Sequence, residues 1–253
     1  MSSQLIRRWV LGLTAGFLFV QLGCSLSEST EPEQSAPALK QVAVYELSIP
    51  EPSGLTLQSD GQSLWTVSDQ TNQVYRINLT GTVLQTLKYQ GEDLEGIAYD
   101  STEHCLWVAE EVSRELVKLD LQGNELERHK LLSGSDNSGL EGVCIDGNHR
   151  FFALKEKRPG LFLVLNTDFT VQQKIELQFA GDYSGLWADT VSGRFWIVSD
   201  ESQMLFLWDI SQGVLQQYSL PITKAEGIAV DTQKGLFYLV SDAESRLYVL
   251  SKQ

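Results

Sequence analysis

Short hydrophobic segments, each ending in an acidic residue, recur along the chain. They are rich in aromatic and β-branched residues, a composition typical of buried strands. The five segments span residues 64–69, 106–111, 151–156, 195–200 and 237–242. A further strand is predicted to begin five residues after each one, at Val74, Leu116, Leu161, Leu205 and Leu247. The pattern therefore predicts an all-β chain built from repeated strands.

Each repeat opens with Glu or Ser, followed by Gly and an aliphatic residue. The five openings are Ser53-Gly54-Leu55, Glu95-Gly96-Ile97, Glu141-Gly142-Val143, Ser184-Gly185-Leu186 and Glu226-Gly227-Ile228. Their glycines lie 42, 46, 43 and 42 residues apart. A period in the forties that is filled with strands predicts a β-propeller with one four-stranded blade per repeat. Residues 40–253 hold five such blades.

The two ends of this repeat array are predicted to meet. Four copies contain a fourth strand, for example Thr82 to Tyr89 and Val214 to Leu220, but the fifth copy runs out after three strands at Gln253. A spare strand-like run, Gln41 to Ile49, precedes the first copy. We expect this N-terminal strand to complete the last blade, because closing the ring removes exposed strand edges.

The first 23 residues read as a lipoprotein-type signal peptide. Arg7 and Arg8 precede an apolar stretch of 12 residues, Trp9 to Val20, which is shorter than the roughly 20 residues that a membrane-spanning helix needs. The following Leu22-Gly23-Cys24-Ser25 resembles a lipobox, which predicts lipidation of Cys24. An ordinary secretory signal or an uncleaved anchor is the alternative.

Residues 24–39 are predicted to be the lipidated cysteine and a flexible tether, since they are polar and without periodicity. We therefore expect an exported protein that is anchored to the cell envelope. In a cell with two membranes, Ser25 favours the periplasmic side of the outer membrane. Cys105 and Cys144 are expected to be buried free thiols, with a bridge between them as the open alternative.

Charge limits the possible partners. The chain has 19 basic and 33 acidic residues, a net charge of −14 that becomes −16 once Arg7 and Arg8 are removed with the signal peptide. Nucleic-acid binding requires a basic surface, so this class of partner is excluded. Cations and basic ligands are favoured. We expect the domain to be a monomer.

Two columns of polar residues are predicted to meet at one mouth of the central channel, because the start of the first strand and the end of the second share one face of a propeller. The first column is Ser53, Glu95, Glu141, Ser184 and Glu226, and the second is Asp69, Glu111, Glu156, Asp200 and Asp242. These side chains either cap turns or bind a hard cation, most plausibly Ca²⁺. Glu is a poor turn cap, which singles out Glu95, Glu141 and Glu226 as metal ligands.

The third repeat departs from the others. Lys155, Lys157 and Arg158 stand where the other repeats have small polar residues. This is either a solvated loop or an anion-binding corner that works together with a metal. With Ser53 and Ser184, these residues form the predicted ligand-binding set. The sequence contains no G-x-S-x-G, HExxH, CxxC or P-loop motif, and its three histidines lie outside the two columns.

The Glu-Gly-Ile-Ala runs at Glu95–Ala98 and Glu226–Ala229, with Glu51-Pro52-Ser53-Gly54-Leu55 and the strand-ending Val-Ser-Asp, carry a family resemblance. Over residues 40–253 the chain resembles the SdiA-regulated (YjiK-like) propellers. The resemblance implies an exported or membrane-tethered bacterial protein of undefined biochemical role. The chain is more distantly similar to esterase-like phytase propellers.

Two hypotheses about function follow. The first is a non-enzymatic, Ca²⁺-stabilised module that binds a small cationic or metal-bridged ligand, or an envelope protein, over its acidic mouth. The second is a metal-dependent hydrolase of ester, lactone or phosphate substrates, in which the metal activates water. The first is favoured, because a catalytic base should stand out from a repeated ring of acids.

Overall fold

The computed structural model describes residues 36–134 and 138–252. The predicted signal peptide, Cys24 and most of the predicted tether lie outside these residues. Within the described ranges all regular structure is β-strand. No helix there has the length and apolar character that crossing a membrane requires.

Twenty strands form five four-stranded antiparallel sheets, one per blade. The strands are β1 Lys40–Glu46, β2 Pro52–Leu57, β3 Ser63–Ser68, β4 Gln73–Asn78, β5 Val83–Thr86, β6 Leu94–Asp100, β7 Cys105–Glu110, β8 Glu115–Leu119, β9 Glu125–Lys130, β10 Leu140–Ile145, β11 Phe151–Lys155, β12 Gly160–Leu165, β13 Val171–Leu177, β14 Gly185–Ala188, β15 Phe195–Ser199, β16 Met204–Asp209, β17 Gly213–Ser219, β18 Ala225–Asp231, β19 Leu236–Ser241 and β20 Arg246–Ser251. Blades 1 to 4 are β2–β5, β6–β9, β10–β13 and β14–β17 in chain order. The five-bladed propeller prediction is confirmed.

The fifth blade contains strands from both ends of the array. Its order is β1-β20-β19-β18, with Lys40 opposite Ser251 and Glu46 opposite Arg246. The Ser219 N–H of blade 4 also donates to the carbonyl of Pro37 at 2.9 Å. The predicted closure by an N-terminal strand is therefore confirmed, and it leaves the third strand of this blade paired on both sides.

The hydrophobic core is divided among the interfaces between blades. Five clusters of buried side chains each join two neighbouring blades; Trp65 of blade 1, for example, shares a cluster with Leu94 of blade 2. Cys105 and Cys144 are buried in two different clusters and are free thiols, so the alternative of a bridge between them is wrong. Each blade is stabilised by its neighbours, as the repeat architecture requires.

The repeated glycines lie where the innermost strands of adjacent blades approach most closely. A Cβ added to Gly54 would lie 2.6 Å from the carbonyl oxygen of Glu95, and one added to Gly185 would lie 2.1 Å from that of Glu226. A side chain at either position would collide with backbone rather than with a movable group. The glycine of the repeat is therefore structural, and it brings the residues that precede it close together around the channel.

Candidate functional site

The starts of four innermost strands surround a cavity of about 210 Å³ at one end of the channel. We call this cavity the upper mouth. Its lining consists of Glu51, Ser53, Asp69, Glu95, Glu111, Glu141, Glu156, Lys157, Lys224, Glu226 and Asp242. Below it, the channel narrows to a cavity of about 10 Å³ lined mainly by glycines and aliphatic residues, room for one water at most. The upper mouth is thus a cup rather than a pore.

A β-bulge at the start of the innermost strand places these side chains in blades 1, 2, 3 and 5. In each of these blades, the N–H of the second-column acid donates to the carbonyl of the residue two positions before the first column. The bonds are Asp69 to Glu51 (3.2 Å), Glu111 to Asp93 (2.9 Å), Glu156 to Gly139 (3.1 Å) and Asp242 to Lys224 (3.0 Å). The same bulge and backbone hydrogen bond therefore bring a residue of each column to the upper mouth in four of the five blades.

Blade 4 lacks this bulge, and its two column residues do not line the upper mouth. The Ser184 N–H bonds the Val198 carbonyl at 3.0 Å, and its buried hydroxyl donates to the Ala225 carbonyl at 2.9 Å. Asp200 lies outside the lining as well. The predicted ring is therefore incomplete, with seven of the eight predicted carboxylates and one of the two hydroxyls around the cavity.

Three glutamates of the first column lie deepest. Ser53 Oγ is 2.5 Å from Glu95 Oε2. Glu141 is only 8% exposed, and within the described residues neither its carboxylate nor that of Glu226 has a hydrogen-bond donor or an ion-pair partner. Burial, reinforced by neighbouring carboxylates, raises the pKa of Glu95 and Glu141 well above the usual range and that of Glu226 to about 8.

Two further acids, Asp69 and Asp93, lie beside Glu95, with one carboxylate oxygen of each of the three within 4.8 Å of the others. Burial and the neighbouring carboxyl of Asp93 raise the pKa of Asp69 to about 6. Burial and the contact with Glu111 raise the pKa of Asp93 to about 6 as well. Acids this close share a proton or require a cation between them.

The geometry of one triad suits a calcium ion. One carboxylate oxygen from each of Glu111, Glu141 and Glu156 lies within 4.8 Å of the other two. Oxygens that bind one Ca²⁺ at about 2.4 Å can be at most about twice that distance apart, so the three fit a shared ion. Gly139 N–H donates to Glu111 Oε1 at 2.9 Å and orients that side chain. Asp69, Asp93 and Glu95 form a second such triad.

The three basic residues of blade 3 lie in different places in the structure. Lys157 reaches the upper mouth, where its Nζ lies 2.5 Å from Glu156 and 2.9 Å from Glu201. Lys155 is buried and donates to the carbonyls of Lys157 and Pro159, away from the cavity, and Arg158 is exposed outside the lining. Only Lys157 of the three is therefore placed to meet a ligand in this cavity.

A third column of site residues was missed in the sequence. It stands two residues before the first column and reads Glu51, Asp93, Gly139, Asp182 and Lys224. Lys224 pairs with Asp242 at 2.8 Å, and Glu51, Asp93 and Lys224 have left-handed backbone angles φ of 42°, 58° and 45°. This column could have been found in the sequence, because its residues keep the same offset in every repeat and three of the five are acidic.

The opposite end of the channel opens into a larger cavity of about 400 Å³, the lower cavity, bordered by the turns that follow the innermost strands of blades 1 to 4. The acids of the five lower turns each accept one or more backbone N–H groups of their own turn. They are Asp60, Asp100, Asp146, Asp189 and Asp231. Although burial acts against it, hydrogen bonds hold the pKa of Asp146, Asp189 and Asp231 below the usual range.

Comparison with solved structures identifies other β-propellers. Glutaminyl cyclase of Myxococcus xanthus superposes with a TM-score of 0.66 at 14% identity, over 84% of this chain and 97% of that one. Virginiamycin B lyase from Staphylococcus aureus gives 0.51 at 14% identity, over 83% of this chain and 69% of that one. At such identities the likeness concerns the fold and carries no activity over to this chain.

The family comparison agrees with the motifs read from the sequence. The model of the SdiA-regulated family matches residues 39–251, which include all five blades. The matched span contains the bulged Glu-Gly strands that build the upper mouth. The chain belongs to the SdiA-regulated family.

Proposed function

We propose that this protein is an exported, membrane-tethered binding module whose upper mouth holds Ca²⁺ and, through it, a ligand or an envelope protein. One observation carries the proposal. Glu141 is 8% exposed and lines the upper mouth, and its carboxylate has no partner among the described residues and lies with those of Glu111 and Glu156 at a spacing that one cation can bridge.

A buried carboxylate without a partner is costly unless it is protonated or neutralised by a cation. The surroundings of Glu141 offer several further carboxylates and only two lysines, each already paired with an acid. Ca²⁺ takes six to eight oxygen ligands, and carboxylates are its commonest protein ligands. A chain with a net charge of −14 also attracts cations to this opening.

The shape of the cup indicates how a partner would bind. Because the channel is almost closed below Glu141, ligands can reach a bound ion only from the open rim. Three carboxylates leave some of the ion's coordination positions to the incoming partner. Lys157 and Lys224 at the lining would attract an acidic group of that partner, giving a metal-bridged contact.

The membrane tether rests on the sequence. Arg7, Arg8, the apolar run that follows and Cys24 stand in the order of a lipoprotein signal. We expect the protein to be labelled by a fatty-acid probe in its native cell and the Cys24→Ala variant to remain unlabelled. Equal labelling of the two proteins would exclude lipidation at Cys24.

The calcium site is tested by thermal unfolding with Ca²⁺ and with chelator. A ligand at a hundred times its Kd stabilises the folded state by about 2.7 kcal/mol. For a domain of this size that corresponds to a rise in Tm of roughly 5–10 °C. The variant with Glu111, Glu141 and Glu156 all replaced by Gln should show no such rise, because these three side chains supply the proposed ligand oxygens.

The matched control replaces three acids far from the upper mouth, Glu46, Glu125 and Glu176, with Gln, and it should keep the full calcium response. Identical unfolding curves of the wild type in Ca²⁺ and in chelator would contradict the proposal. A response that survives the triple replacement at the mouth would place the calcium site elsewhere.

A further inference from the structure

We propose that the lower cavity is a second, chemically different binding site, for an uncharged small molecule with an apolar body and an O–H or N–H donor that bonds to His149. This inference is independent of calcium binding at the upper mouth. It rests on the shape of the cavity, the position of His149 and the hydrogen bonds around that side chain.

The lower cavity has the size and walls of a small-molecule site. Its volume is about 400 Å³, and Leu55, Ile97, Val143 and Leu186 of four different innermost strands supply apolar surface. Polar groups of the turns, including His149, stand at its border. The cavity thus combines apolar side chains with at least as much polar surface. Walls of this kind can hold a ligand that has both an apolar body and a polar group; the apolar contacts give affinity and the polar groups select the ligand.

His149 is held firmly at this border. Its N–H donates to the Asp146 carbonyl at 3.0 Å, and its ring packs edge-on against Phe151 with centroids 5.2 Å apart. Its Nε2 lies 2.7 Å from Oδ2 of Asp100, a residue of the neighbouring blade that is 1% exposed. A side chain fixed from two blades presents its remaining polar atom in one direction.

The backbone of His149 has a left-handed conformation that glycine adopts more readily than histidine. Its φ is 59°, and the corresponding turns of blades 1, 4 and 5 use Gly61, Gly193 and Gly235 with φ of 63°, 70° and 66°. Glycine adopts this left-handed conformation without strain, whereas other residues adopt it at a cost. The equivalent turn of blade 2 has His104, with φ of 53°. His104 meets Tyr99 of its own blade, whereas His149 bonds a carboxylate of the neighbouring blade.

The hydrogen bonds define what His149 can bind. Asp100 accepts the Nε2 proton, which leaves Nδ1 as an acceptor, and no described residue donates to it. The nearby carboxylates already have partners. Asp100 also accepts from two backbone N–H groups, Asp146 pairs with Arg150, and Glu103, which lies within 4.8 Å of Asp100 and His149, pairs with Lys118 at 2.6 Å. The site therefore favours an uncharged hydrogen-bond donor, in contrast to the cation that suits the upper mouth.

The test is a fluorescence titration of the full-length protein with 2-naphthol and with 2-methoxynaphthalene, which has the same rings but no donor. Chelator is present throughout, so that calcium at the upper mouth plays no part. We expect 2-naphthol to bind about tenfold more tightly, the worth of one hydrogen bond. His149→Gly, which suits the backbone φ, should remove this difference, and His104→Gly in the equivalent turn of blade 2 should keep it.

A second pair of variants locates the probe without touching His149. Thr190→Phe at the border of the lower cavity should weaken binding of both probes at least fivefold, whereas Thr167→Phe outside the cavity should not. Equal affinities of the wild type for the two probes, or no binding of either, would overturn the proposal. So would a preference for 2-naphthol that persists in a folded His149→Gly variant.

Discussion

The carboxylates at the two ends of the channel are in opposite electrostatic states. At the upper mouth, burial and mutual repulsion raise the pKa of Glu95, Glu141 and Glu226. At the lower turns, the pKa of Asp146, Asp189 and Asp231 is lowered because each accepts backbone N–H bonds and a bond from a nearby side chain. The lower acids are satisfied within the protein, whereas the lining of the upper mouth has two lysines for eight carboxylates.

This difference helps to distinguish turn-capping acids from cation-binding acids, which repetition in the sequence alone does not separate. A turn-capping acid is short and follows a strand, so its carboxylate meets backbone N–H groups that have no other partner. Glu141 instead lies within β10, a paired strand, and its longer side chain extends into the upper mouth. The lower acids are therefore structural, whereas the carboxylates of Glu141 and Glu226 have no donor among the described residues, as the proposed cation site requires.

The largest expected effect comes from removing the lower caps. Replacing Asp146, Asp189 and Asp231 together with Ala deletes the acceptors of several turn N–H groups. At about 1 kcal/mol for each cap, we expect a loss of about 3 kcal/mol in the free energy of unfolding, or roughly 6–12 °C in Tm. Thermal unfolding in chelator at pH 7.5, well above the lowered pKa values of these acids, measures it.

Replacing the upper glutamates is expected to increase the free energy of unfolding under the same conditions. A carboxyl whose pKa is raised by folding stabilises least at high pH, because stability is lost as pH rises from the unfolded pKa to the folded one. Replacing Glu95, Glu141 and Glu226 with Gln should therefore raise the free energy of unfolding by about 2 kcal/mol. A decrease in both triple variants would mean that the two rings serve the same structural purpose.

Much of the fold was predictable because it depends on local repetition. The spacing of the Glu/Ser-Gly openings gave the number of blades, and the missing fourth strand of the last repeat predicted the closure by β1. Both columns were placed correctly in blades 1, 2, 3 and 5, because alternation along paired strands fixes which residues reach one end of the channel.

The exceptions depend on backbone detail that residue types do not reveal. Ser184 has the same sequence context as Ser53, but without a bulge its hydroxyl bonds the Ala225 carbonyl instead of facing the upper mouth. Lys155 is directed into its own loop by carbonyl groups that surround it only in the folded chain. The role proposed for His149 depends on its hydrogen bond to Asp100, which lies 49 residues away in the sequence.

The most direct test of the cation site is calorimetric titration of Ca²⁺ at pH 7.5 in two buffers of different ionisation enthalpy. Burial raises the pKa of Glu141 above its usual range and that of Glu226 to about 8, so a cation that binds beside these groups should displace protons. We expect about one proton released per calcium ion, at least tenfold weaker binding at pH 5, and no binding to the variant with Glu111, Glu141 and Glu156 replaced by Gln. Absence of binding, or binding that releases no protons and survives the triple replacement, would contradict the account.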